Sequence, residues 1–102
     1  MTYNKLVRDR IPEIIQAKGG TCKTRILSDE EYAQKLDQKL GEELAEYLDS
    51  HNPEELADLL EVIYACAALQ SLTPADLEQI RAEKAAKRGE FADKILLIES
   101  EG

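Results

Sequence analysis

Sulfur and imidazole are scarce in this sequence: two cysteines, Cys22 and Cys66, and a single histidine, His51, among 102 residues. Their wide separation leaves no zinc ligand set. The absence of Glu-x-x-His pairs likewise disfavours a carboxylate-bridged di-iron centre. Cys66 falls in an apolar helical stretch and nothing marks a secreted protein, so two reduced thiols are expected. Long apolar runs are also missing, and none approaches the roughly 18 residues that a membrane span needs. No signal-peptide pattern opens the sequence, so a cytoplasmic location and no membrane partner are the expectations. Positive charge is in deficit, with 13 Lys and Arg against 21 Asp and Glu, a net charge of -8. That balance argues against nucleic acid as a partner, because its phosphates would be repelled. No repeat, low-complexity segment or linker-like stretch interrupts the chain, which reads as one domain over 1–102.

What is present is helical patterning. Hydrophobic residues make up 43% of the chain, ordinary for a globular protein. Pro12 suits the first turn of a short helix running through Glu13-Ile14-Ile15-Gln16-Ala17 and stopping at Gly19-Gly20. Ser28 with Glu31 forms a capping box, and the spacing of Tyr32, Leu36, Leu40, Leu44 and Tyr47-Leu48 predicts a long helix behind it. Asp49-Ser50-His51-Asn52 breaks that helix. Asn52, Pro53 and Glu55 then open a second, with a further capping box expected. This second long helix is apolar on most of its circumference and is expected to be central. Thr73-Pro74 opens a third that ends at Gly89. Thr21 to Leu27 alternates polar and apolar residues, and Lys94-Ile95-Leu96-Leu97-Ile98 is short and apolar. The two are candidates to pair as a small two-stranded β element. The expected fold is therefore all-α: an antiparallel bundle of three long helices plus a short N-terminal helix.

Charge is unevenly spread. Residues 1–27 carry six basic and two acidic side chains, residues 28–80 two basic and fourteen acidic, and the remainder five of each. The acids concentrate where the first two long helices meet: Glu42, Glu43 and Glu46 on one, Glu55, Asp58 and Glu61 on the next. A connection of about four residues makes these helices antiparallel neighbours, so the two acidic sets face each other. At roughly 100° per residue, Glu43 projects inside the apolar arc of its helix and Glu46 at its edge, while Glu55 falls between Leu59 and Val62. Carboxylates on packing faces need partners. Local helix spacing supplies only Lys39, four places before Glu43 and in the less favourable order. Acids gathered on facing helices without local cations suit a magnesium ion, which takes hard oxygen ligands and keeps several waters. The competing interpretation is a solvated acidic face, or a cluster neutralised by Lys5, Arg8 or Arg10. Candidate anion-binding residues lie in the cationic flanks: Lys5 and Arg8 near the start, and Arg81, Lys84 and Arg88 on one helical face near the end.

Lys39-Leu40-Gly41-Glu42-Glu43-Leu44-Ala45-Glu46, followed by Glu55-Leu56-Ala57-Asp58, resembles the E-E-x-x-E and E-x-x-D elements of the all-α nucleoside triphosphate pyrophosphohydrolase superfamily. That superfamily includes MazG proteins, dimeric dUTPases and phosphoribosyl-ATP pyrophosphohydrolase. The opening Tyr3-Asn4-Lys5-Leu6-Val7-Arg8-Asp9-Arg10-Ile11-Pro12 resembles the start of a small phosphoribosyl-ATP pyrophosphohydrolase-like subgroup. Lys87-Arg88-Gly89-Glu90-Phe91 is similar to the R-G-G-F segment after the last core helix, with Glu90 in place of a second glycine. Only eight residues separate Glu46 from Glu55, fewer than in many MazG relatives.

The resemblance implies Glu43, Glu46, Glu55 and Asp58 as magnesium ligands, with Glu42 an additional ligand or a water-orienting base beside Glu43. It implies hydrolysis of a nucleoside triphosphate between the α- and β-phosphates to a nucleoside monophosphate and pyrophosphate, in nucleotide-pool house-cleaning. Lys5, Arg8, Lys84 and Arg88 are the substrate-binding candidates. Two alternatives stand beside this: a phosphoribosyl-ATP pyrophosphohydrolase of histidine biosynthesis, and a non-catalytic acidic helical interaction module. Helices this few bury little alone, so a homodimer or higher homo-oligomer is expected.

Overall fold

The computed structural model describes residues 3–102. Its helices are α1 (Ile11–Ala17), α2 (Asp29–Ser50), α3 (Pro53–Leu69) and α4 (Pro74–Arg88), and the protein is all-α. The starts of the long helices are set by their caps. The Ser28 hydroxyl accepts from the Glu31 amide while the Glu31 carboxylate accepts from the Ser28 amide, and Thr73 and Asp76 repeat the arrangement at α4. At α3, Asn52 Oδ1 instead accepts from the Glu54 amide at 2.9 Å, and the expected reciprocal bond from Glu55 is not made. The Glu55 carboxylate is thereby left for the interior.

α2 continues through Asp49 and Ser50, so the connection is shorter than expected: His51 in the left-handed region (φ 53°), then Asn52. This turn folds α2 and α3 into a hairpin. Its antiparallel sense is visible in the register. Glu43 lies beside Glu55 and Asp58, whereas Asp37, farther from the turn on α2, acts on the thiol of Cys66, farther from the turn on α3. Leu36, Val62 and Ala67 form the buried apolar core of this pair. Burial, with the Asp37 charge, pushes the Cys66 thiol up, and neither it nor Cys22 is disulfide-bonded.

α4 leaves α3 at a 102° bend and comes into close backbone contact with α3 alone. Within one chain the close packing is therefore mainly that of the α2–α3 hairpin, which α4 meets at α3. α1 makes no close backbone approach to another helix. Neither 21–27 nor 94–98 forms a strand, and there is none among the described residues. The expected β pair is corrected here: both stretches lie in the open, with Ile26 96% exposed, and a lone two-stranded pair with no covered face is marginal in water. No single helix among the described residues is long and apolar enough to cross a membrane.

Candidate metal centre

Three of the four expected ligands come together across the hairpin. One carboxylate oxygen from each of Glu43, Glu55 and Asp58 lies within 4.8 Å of the others. Opposite ligands of an octahedral magnesium stand about 4 Å apart, twice its metal–oxygen distance, so a small inward adjustment would suit one ion. The sequence produces this geometry simply. Glu55 and Asp58 are three residues apart on the first turns of α3, hence on one face, and the short turn sets them against Glu43 on α2.

Glu43 is buried, only 7% exposed, and is the one charged side chain so placed among the described residues. Its Oε2 and the Oε2 of Glu55 are both buried without a hydrogen-bond partner. Such atoms are uncommon and costly, because water has been removed and nothing replaces it. Burial raises the Glu43 pKa, the adjacent Glu46 carboxylate raises it further, and Lys39 opposes both. Glu46 itself is exposed and outside the three-residue group. It borders the site, and its charge acts on Glu43.

Cations surround these acids. Lys39 Nζ lies 3.4 Å from both Glu43 Oε1 and Glu42 Oε1. Lys5 Nζ reaches the same Glu42 oxygen at 3.1 Å, and Arg8 Nη2 reaches Asp58 Oδ1 at 2.7 Å. Desolvation works to raise the Glu42 pKa, but the Lys5 hydrogen bond and the Lys39 charge outweigh it and hold the carboxyl below its ordinary value. Thus Lys5 and Arg8, candidates for anion contact, rest on the acidic cluster, while Arg10 pairs with Glu13 on α1. Lys84 and Arg88 are exposed on α4, a helix that approaches α3 but not α2. Arg81 on the same helix is held by Glu78 at 2.6 Å. One contact had no signal in the sequence: Lys35 Nζ donates to the Asn4 carbonyl at 3.5 Å, fastening the N-terminal segment to α2.

Fold and site together define a small all-α protein with a cluster of carboxylates across a helical hairpin. No protein-family model and no solved structure matches the chain. A protein of Mycolicibacterium smegmatis, described as uncharacterized, is 62% identical over 38 residues. That match spans 37% of this chain and 39% of the other protein, well under half of either.

Proposed function

We propose that the carboxylate cluster across α2 and α3 binds magnesium and that the chain is a magnesium-dependent nucleoside triphosphate pyrophosphohydrolase, acting in nucleotide-pool house-cleaning. The observation that carries this reading is the pair of buried, unpartnered oxygens on Glu43 and Glu55 beside Asp58. An all-carboxylate donor set suits a hard divalent cation. Magnesium bound there would neutralise phosphate charge and activate water. Glu43, Glu55 and Asp58 would hold it, with the exposed Glu46 turning in as a further ligand. Glu42, beside the cluster, would orient the attacking water and accept its proton. Water adds to the α-phosphorus, the α–β bridging bond breaks, and pyrophosphate leaves with the electron pair. The acidic cluster by itself repels a triphosphate. Cationic side chains must meet the phosphates, and Lys5, Arg8, Lys84 and Arg88 are assigned to that task.

The apolar residues left open on the hairpin support association with a second copy. Leu44 and Leu48 on α2 and Leu56 and Leu60 on α3 are all more than two-fifths exposed. A homodimer whose helices cover that face would complete the bundle that one chain leaves open.

The test of the activity is pyrophosphate release from a panel of canonical and modified nucleoside triphosphates and phosphoribosyl-ATP, with and without magnesium. Magnesium-dependent release that Glu43→Gln abolishes is the expected result. No release from any of them, with ion binding unaffected by Glu43→Gln, would contradict the proposal.

A further inference from the structure

The N-terminal segment 3–10 reaches the hairpin through charged side chains that end on the acids of the candidate metal centre. Arg8 occupies Asp58 Oδ1, on one of the three residues grouped as ligands, and Lys5 occupies Glu42 Oε1 beside them. α1, directly behind this segment, has no close backbone contact with any other helix. These ion pairs and the bond from Lys35 to Asn4 fasten the segment to the hairpin.

The Arg8–Asp58 pair is open to solvent, 57% and 40% exposed at the side chains, and the Lys5–Glu42 pair is partly so, at 45% and 31%. Pairs of that kind are weak and readily exchanged. A divalent cation competes on better terms, since it carries twice the charge and also satisfies the two buried oxygens that neither Lys5 nor Arg8 reaches.

We infer that Lys5 and Arg8 form a cation-operated latch: they hold the segment down on Asp58 and Glu42, and divalent-ion binding displaces them, freeing two cationic side chains beside the acidic cluster for an anionic ligand. This rests on the divalent-cation reading above. It adds that ion loading and anion binding are coupled through one pair of side chains. Neutralising either residue removes a competitor for the carboxylates, so the ion binds more tightly while the anion binds less well.

The experiment titrates the full chain with Mn2+, by calorimetry, for the wild type and for Lys5→Gln, Arg8→Gln and Arg10→Gln. Amide hydrogen exchange over residues 3–10 is followed in the same samples with and without the ion. Arg8→Gln and Lys5→Gln are expected to bind Mn2+ about two- to fivefold more tightly, the scale of one exposed ion pair. In the wild type, Mn2+ is expected to speed exchange over 3–10. Arg10→Gln removes the same charge from the same segment, but its partner is Glu13, outside the cluster, so it is expected to leave the affinity unchanged. Equal tightening in Arg10→Gln would make the effect one of net charge and overturn the latch. Weaker or unchanged binding in Arg8→Gln, or exchange over 3–10 that the ion does not alter, would overturn it as well, while leaving the metal site standing. No Mn2+ binding by the wild type would overturn the metal site and the latch together.

Discussion

Glu43 is the residue on which local and tertiary forces disagree most. Helical spacing puts it on the packing face, and the fold buries it beside a second glutamate with only Lys39 in direct compensation. Its raised pKa means that the folded chain binds this proton more tightly than the unfolded chain does. Between the ordinary glutamate pKa and the raised one, stability therefore falls as pH rises, and above the raised value the full penalty remains. Glu43→Gln removes that penalty and is expected to raise the melting temperature of the ion-free chain at neutral pH by about 2–5 °C. The same change should abolish the stabilisation that magnesium gives the wild type. Differential scanning fluorimetry with and without magnesium measures both, and a lowered melting temperature in the ion-free variant would show that the carboxylate is structural. Glu43 and Glu55 were legible as inward-facing acids because angular position on a helix follows from sequence alone. The burial of one oxygen on each without a hydrogen-bond partner was not. The pairing of Lys5 with Glu42 and Arg8 with Asp58 joins residues 37 and 50 positions apart, and no local pattern specifies it.

Helix starts carry the strongest local signals, and the structure follows them at Ser28, Asn52 and Thr73. The Ser28–Glu31 cap is reinforced by Arg25, whose guanidinium donates to both Glu31 oxygens at 3.2 and 2.8 Å. That hydrogen bond, with the Ser28 amide, brings the Glu31 carboxyl down from 4.5 to about 2. A depressed acid stabilises the fold above its unfolded pKa and loses that contribution as pH falls toward the folded value. The first turn of α2 is accordingly expected to fray between about pH 4.5 and 2. Arg25→Gln should shift that fraying to higher pH, as followed by amide protection at Glu31 and Tyr32. Ser28→Ala should cost about 1 kcal/mol, or on the order of 4–8 °C in melting temperature. An unchanged melting temperature would mean that the cap contributes nothing to global stability. The strand signals at 21–27 and 94–98 fared differently. Alternation is a property of one segment, but a strand also needs a neighbour and a covered face, and neither stretch has them within the chain.

At the scale of the molecule, the chain is long and open, extending 60 × 32 × 22 Å with a radius of gyration of 18.0 Å. Compact chains of about 100 residues have a radius near 13 Å, so much apolar surface is left outside. Leu48, 58% exposed on α2, belongs to that surface. The chain is expected to elute well above its own mass of 11.5 kDa, and Leu48→Glu should shift it toward the monomer, as light scattering behind size-exclusion chromatography would read directly. A wild-type monomer would contradict association through this face. Apolar periodicity could indicate that α3 would be central, but not how far α4 would bend away, because the 102° turn depends on the short link Gln70–Thr73 and on packing against α3. The most direct test of the divalent-cation site itself is Mn2+ binding by the full chain, wild type against Glu55→Gln, followed by electron paramagnetic resonance. Saturable binding by the wild type that weakens about tenfold or more in Glu55→Gln is the predicted result; no binding, or equal binding by the two, would contradict it.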